Sequence, residues 1–193
     1  QQERLTAIAR RSGVPIVGPN CMGGFNYLSG AITTFVTSMR PAPVGDKAIG
    51  VVSQSGALSI SLAQAIETGV SISHILLSGN SCDVDVADAI SFLAEEPACQ
   101  AIACVFEGMP DPLRMLEAGE VARAANKPVV VCKLATGEEG AAEVGMHLHA
   151  WSSPPLVPLT ADDFSTHPYL IEYPTELMRQ KIASLTRLLE DQF

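Results

Sequence analysis

Basic residues are scarce in this chain. Twelve Lys and Arg stand against twenty-one Asp and Glu, leaving a net charge of −9. A nucleic-acid surface needs a basic patch, and an anionic membrane attracts one, so neither partner is expected. Aromatic side chains make up 5% of the residues. That poverty argues against a stacked flavin ring, which a bare nucleotide-binding fold would otherwise invite. Apolar runs of 18 residues, the length of a membrane span, are missing. The opening QQERLTAIARR has no apolar core of a signal peptide, so a cytoplasmic location is expected. The five cysteines are odd in number and include no CxxC. They read as reduced thiols packed as small hydrophobes.

What is present is hydrophobic, at 47%, enough for a globular core. Residues 1–12 read as a helix capped by Gly13, and VPIV (14–17) as a short strand. A loop, GPNCMGG (18–24), follows, and 27–46 read as irregular. A regular alternation then begins. Strands are expected at 47–53, 71–79, 100–108 and 128–135, and helices at 57–69, 85–97 and 111–127. The strand KAIGVVS shows no polar alternation, as in a sheet covered on both faces. Asp85 suits an N-cap, Pro112 a first helical position and Gly69 a helix stop. This β-α-β-α-β-α-β order predicts an α/β fold, a flavodoxin-like doubly wound parallel sheet. After about residue 148 the pattern breaks. AWSSPPLVPL has three prolines in ten residues, and 175–193 read as an amphipathic helix that packs on this domain or on another chain. A homo-oligomer is therefore one expectation for the assembly.

Ligands of such sheets bind at the carboxyl ends of the strands. Four segments end strands here: SQSG (53–56), SGNSCD (78–83), EGMPD (107–111) and KLATGEEG (133–140). In the first, Ser53, Gln54, Ser55 and Gly56 precede a helix. A helix start offers free N–H donors and a favourable dipole to a phosphate. The same pattern is also met when Ser55 merely caps the helix. Glu107 closes the apolar run AIACVFE, either as a solvated loop carboxylate or as one that orients an imidazole. His147 and His149 form an HxH pair, but no supporting Cys, His or acid cluster accompanies them, so no metal is expected.

Four segments, GPNCMGGFN (18–26), IGVVSQSGALS (49–59), the stretch from Leu77 to Gly108 and ANKPVVVCKLATGEEGAA (125–142), together resemble the α-type subunit of the NDP-forming acyl-CoA synthetases. That group contains succinyl-CoA synthetase and ADP-forming acetyl-CoA synthetase. The resemblance covers residues 1–147. It implies an acid–thiol ligase that forms acyl-CoA from a carboxylic acid, coenzyme A and ATP through a phosphohistidine, with no tightly bound cofactor. It implies His147 as the phosphoryl carrier, fourteen residues after Lys133. It implies Glu107 as the acid on that histidine, residues 53–56 as the phosphate turn, and Pro19, Asn20 and Cys21 as the remnant of a CoA loop. The domain order it implies is the end of a CoA-binding Rossmann domain at 1–26, a linker at 27–46, the ligase domain at 47–148 and a divergent tail at 149–193. The implied partner is an ATP-grasp subunit or domain. After His147 the family continues Thr-Gly, whereas this chain reads Leu148, His149, Ala150 and Trp151. The departure leaves open a non-catalytic remnant or an anion- or nucleotide-binding module acting with a partner.

Overall fold

The computed structural model of the protein describes residues 2–36, 40–109 and 111–134, together with the backbone of 170–172. Its elements are α1 (Gln2–Ser12), β1 (Gly23–Asn26), β2 (Ala31–Thr34), β3 (Ala48–Ser53), α2 (Gly56–Ala63), β4 (Ile72–Leu77), α3 (Val86–Glu95), β5 (Cys99–Phe106), α4 (Leu113–Ala124), β6 (Val129–Lys133) and β7 (Leu170–Glu172). They build one sheet in the order β2-β1-β4-β3-β5-β6-β7. Strands β4, β3, β5, β6 and β7 run parallel. The β4-β3-β5-β6 order is the flavodoxin-like one, with the reversal of winding at β3 and β5.

The helices expected at 1–12, 85–97 and 111–127 and the strands expected at 47–53, 71–79, 100–108 and 128–135 are present, with ends that differ by up to three residues. The helix expected at 175–193 lies outside the described residues. The helix expected over 57–69 ends at Ala63 and tightens into a 3₁₀ turn, Gln64–Thr68. Gly69 closes it in the left-handed conformation, at φ 90°. Asp85 forms a complete capping box with Asp88 at the start of α3. Pro112 occupies the N-cap of α4, one position earlier than expected.

Two readings of the N-terminal region are corrected. VPIV (14–17) is not a strand of the sheet; Val17 alone makes an isolated bridge to Val84. Residues 27–46, expected to be irregular, contain β2, which pairs antiparallel with β1. Strand β1 in turn pairs antiparallel with β4. The sheet is therefore mixed at this edge. Phe25 of β1 and Tyr27, the residue just past its end, anchor this edge. Both are buried in a core cluster with Val51, Ile72 and Ile75, and their rings lie 6.1 Å apart.

The two faces of the sheet carry separate cores. On one, α3 and α4 cover Val52, Ile102, Cys104, Phe106, Val129 and Val131. On the other, Leu62, Ala63 and Ile66 cover Val51, Ile72 and Ile75. Neighbours such as Val51 and Val52 point to opposite sides, which is why the strand sequences are apolar throughout. Each fully buried Val, Ile or Leu here is worth about 1.5–3 kcal/mol of transfer free energy. This double covering leaves the carboxyl ends of β3, β4 and β5 as the place where polar loops meet.

Candidate functional site at the carboxyl ends of the strands

At the end of β3 the chain turns sharply into α2. Ser53 is fully buried. Its Oγ donates to the Ser55 carbonyl at 2.9 Å and accepts from the Ser55 N–H at 3.0 Å. Ser55 is the N-cap in extended conformation, and its side chain accepts from the Leu58 N–H at 3.4 Å. Capping and a helix start aimed at the crevice thus coexist in one serine. Gly56 opens the helix beneath Met22. A β-carbon at Gly56 would lie 1.8 Å from the Met22 Sδ.

Gln54 crosses the crevice. Its N–H donates to the Val105 carbonyl at 3.1 Å, continuing the pairing of β3 with β5. Its Oε1 accepts from the N–H of Glu107 at 2.7 Å and from that of Gly108 at 3.2 Å. Its Nε2 donates to the Gly108 carbonyl at 2.5 Å and lies 3.5 Å from the Ser81 Oγ. The half-buried Glu107 is therefore held by its backbone from the strand that carries the 53–56 turn. Sequence reasoning placed Gln54 in the turn but missed this bond; a 53-residue separation leaves no local signal for it. Opposite Phe106 in the β5–β6 register, Lys133 is fully buried at the end of β6. Its Nζ donates to the Leu134 carbonyl and lies 5.9 Å from the centre of the Phe106 ring.

The third contribution is the loop 18–21. Its Gly18–Pro19 peptide is cis. The Gly18 carbonyl accepts from the Cys82 N–H at 2.8 Å, and the Pro19 carbonyl from the Asn80 N–H at 2.9 Å. Asn20 Nδ2 donates to Asn80 Oδ1 at 3.2 Å. Gln2 from α1 donates to the Asn80 carbonyl at 2.9 Å. Pro19, Asn20 and Cys21 are thereby fastened to the loop that follows β4. The Cys21 thiol donates to the Leu77 carbonyl at 3.2 Å. Burial pushes that thiol up, against a smaller pull from the Gly23 backbone, so it is a weak nucleophile at neutral pH.

Beside Cys21 lies a largely apolar pocket of about 550 Å³, bounded by Leu76, Ser78, Val84 and Phe92. The buried Ser78 Oγ has no hydrogen-bond partner there. Asp85 and Asp88, which also line this pocket, pair with Arg114 of α4, Asp88 at 2.6 Å. Burial holds the Asp85 carboxyl above its ordinary range, although Arg114 draws it down.

The structure thus brings Ser53, Gln54, Ser55 and Gly56 close to the backbone of Glu107. It sets Pro19, Asn20 and Cys21 on the neighbouring strand end. His147 and His149 lie outside the described residues. Among the described residues no group of three or more His, Cys, Asp or Glu side chains is placed to hold a metal. No helix among them is long and apolar enough to cross a membrane.

Comparison with known proteins agrees with this fold. A family model described as a succinyl-CoA ligase-like flavodoxin domain matches residues 46–157, more than half of the chain, and runs through His147. A trans-feruloyl-CoA synthase of an unknown prokaryotic organism is 38% identical over 132 residues, covering 67% of this chain and 19% of that protein. The α subunit of ADP-forming acetate–CoA ligase II of Pyrococcus furiosus is 31% identical over 148 residues, covering 76% of this chain and 31% of that subunit. Among solved structures, the dinucleotide-forming acetyl-coenzyme A synthetase 1 of Candidatus Korarchaeum cryptofilum, in complex with phosphate and ADP, superposes with a TM-score of 0.71 at 26% identity. That match covers 91% of this chain and 37% of that one. The chain spans about a fifth to a third of the two curated relatives.

Proposed function

Since the chain belongs to the family of succinyl-CoA ligase-like flavodoxin domains, we propose that it is the central ligase domain of an NDP-forming acyl-CoA synthetase. In this reading it works with an ATP-grasp subunit or domain and with a CoA-binding domain, and is incomplete without them. The observation that carries the reading is the crevice between β3 and β5. There the Ser55-capped start of α2 and the Glu107 backbone, tied together by Gln54, meet at the switch point of a doubly wound sheet.

His147 is the phosphoryl carrier. A ring nitrogen attacks the γ-phosphorus of ATP; the N–P bond forms, the bridging P–O bond breaks and ADP leaves. The carboxylate of the acid then attacks phosphorus. The N–P bond breaks and an acyl phosphate forms. The CoA thiolate attacks the acyl carbon, the bond to the phosphate oxygen breaks, and inorganic phosphate leaves with acyl-CoA formed. The thiol proton goes to solvent. Glu107 accepts a hydrogen bond from the second ring nitrogen, which fixes the tautomer and stabilises the positive charge that develops on attack. The N–H groups at the start of α2 hold the phosphoryl group by their partial positive charge.

The test combines the chain with the ATP-grasp subunit of an ADP-forming acetate–CoA ligase and ATP labelled in the γ-phosphate. A base-stable, acid-labile label is expected on the chain, lost in His147→Asn and reduced in Glu107→Gln. Label that survives His147→Asn removes His147 from the role. Binding of inorganic phosphate without any label establishes the other reading, a non-catalytic anion-binding module.

A further inference from the structure

A glutamine carboxamide has the shape of a peptide group, with an acceptor and a two-hydrogen donor on one plane. Gln54 stands where a peptide group would be needed. The ladder between β3 and β5 has its last backbone bond at Gln54 N to Val105 O. Beyond it β3 turns away into α2, and the polar groups of Glu107 and Gly108 lose the strand that would pair them. The Gln54 side chain takes three of them: two N–H groups on Oε1 and one carbonyl on Nε2. Only one orientation of the amide does this. Reversed, Nε2 would face two N–H donors and Oε1 a carbonyl. The second hydrogen of Nε2 has the Ser81 Oγ 3.5 Å away, beyond β4. One side chain thus joins the ends of β3, β4 and β5.

We propose that Gln54 is a positioning residue: it extends the sheet by one pairing and holds the Glu107–Gly108 backbone in the place from which Glu107 acts on the imidazole. The proposal rests on the role given to Glu107 above. It moves Gln54 out of the set of phosphate ligands. A phosphoryl group needs donors, and this amide spends its donors on Gly108 and Ser81. Side-chain length and chemistry are both specified. Asparagine is one methylene short of the two N–H groups. Glutamate keeps the acceptor but turns an oxygen toward the Gly108 carbonyl.

The experiment uses the 193-residue chain. Amide hydrogen exchange at Glu107 and Gly108 is followed by NMR in the natural chain, Gln54→Ala, Gln54→Asn and Gln54→Glu. In parallel, phosphoramidate, a small phosphoryl donor that releases ammonia, is used to phosphorylate His147 across pH 5–9, with site occupancy read by mass spectrometry. Exchange at both amides is expected to rise at least tenfold in Gln54→Ala and Gln54→Asn, with Val51 and Val52 unchanged. Gln54→Glu keeps both amides protected, and it serves if the alanine variant does not fold.

A neutral imidazole is the nucleophile, and a carboxylate that accepts from its second nitrogen favours the charged form. Glu107→Gln therefore moves the half-maximal pH of labelling downward. Gln54→Ala is expected to move it the same way, and the double variant no further than Glu107→Gln. Unchanged exchange overturns the clamp. A double variant shifted beyond Glu107→Gln, or faster exchange with an unshifted profile, overturns the positioning role. If Glu107→Gln alone leaves the profile in place, the role of Glu107 falls and the positioning role with it. The exchange data separate that case from a missing clamp.

Discussion

Met22 lies against Gly56 so closely that the first helical residue of α2 has no room for a side chain. The ideal β-carbon position is 1.8 Å from Sδ, 2.7 Å from Cγ and 3.3 Å from Cβ of Met22. Sulfur and Cγ can swing aside on a flexible side chain, but Cβ is fixed by the backbone. Gly56→Ala is expected to cost about 1–3 kcal/mol by overpacking. Adding Met22→Ala should recover most of that loss. Urea denaturation of the two single variants and the double variant measures the coupling. Additive losses would show that Gly56 is needed for a reason other than Met22.

Gly79 combines two constraints that Gly69 separates. Both have positive φ, 54° and 90°. Around Gly69 an added β-carbon meets nothing within 4 Å, whereas at Gly79 it would stand 2.5 Å from the Pro19 carbonyl oxygen. Gly69→Ala should therefore cost only the left-handed backbone strain, about 1–2 kcal/mol. Gly79→Ala should cost more than that and weaken the attachment of the 18–21 loop. Thermal melts of both variants decide it. Equal losses would mean that the loop yields without resistance.

His74 is expected to make stability fall on mild acidification. It is buried on β4, neither ring nitrogen has a hydrogen-bond partner, and Phe92 meets it edge-on at 5.6 Å. Burial holds the imidazole below its ordinary 6.5, against a weaker upward pull from Glu96. The unfolded chain thus takes up the proton first. The contribution is complete above pH 6.5 and is lost progressively as pH falls below it. Urea midpoints between pH 8 and pH 5 should drop in the natural chain. The drop should be smaller in His74→Leu. A slope identical in both would place the titration elsewhere.

Asp85 acts on α3 first as a cap. Its carboxylate accepts from the N–H of Ala87 at 2.8 Å and of Asp88 at 3.2 Å, and it also pairs with Arg114. Asparagine is as good an N-cap as aspartate, while alanine is not. Asp85→Ala is expected to cost about 1–3 kcal/mol, from the lost cap and the broken pair. Asp85→Asn should cost clearly less, since burial already opposes the charge. Equal losses in a urea titration would make the Arg114 pair, not the cap, the main contribution.

Much of the architecture was legible in the sequence because it is local. Apolar runs, the cap at Asp85 and the stop at Gly69 each act within a few residues, and they determined the β-α alternation by themselves. The sequence also marked Ser53 to Gly56 and Glu107 as strand ends, since a turn residue after an apolar run is a local event. Tertiary structure alone decided what those ends do together. Gln54 meets Glu107 across 53 residues, Asn20 meets Asn80 across 60, and Phe25 carries a four-residue strand into an antiparallel edge. Strand order and register create those encounters. No periodicity within a segment encodes them, because each bond needs a partner that only the folded sheet brings within 3 Å or so.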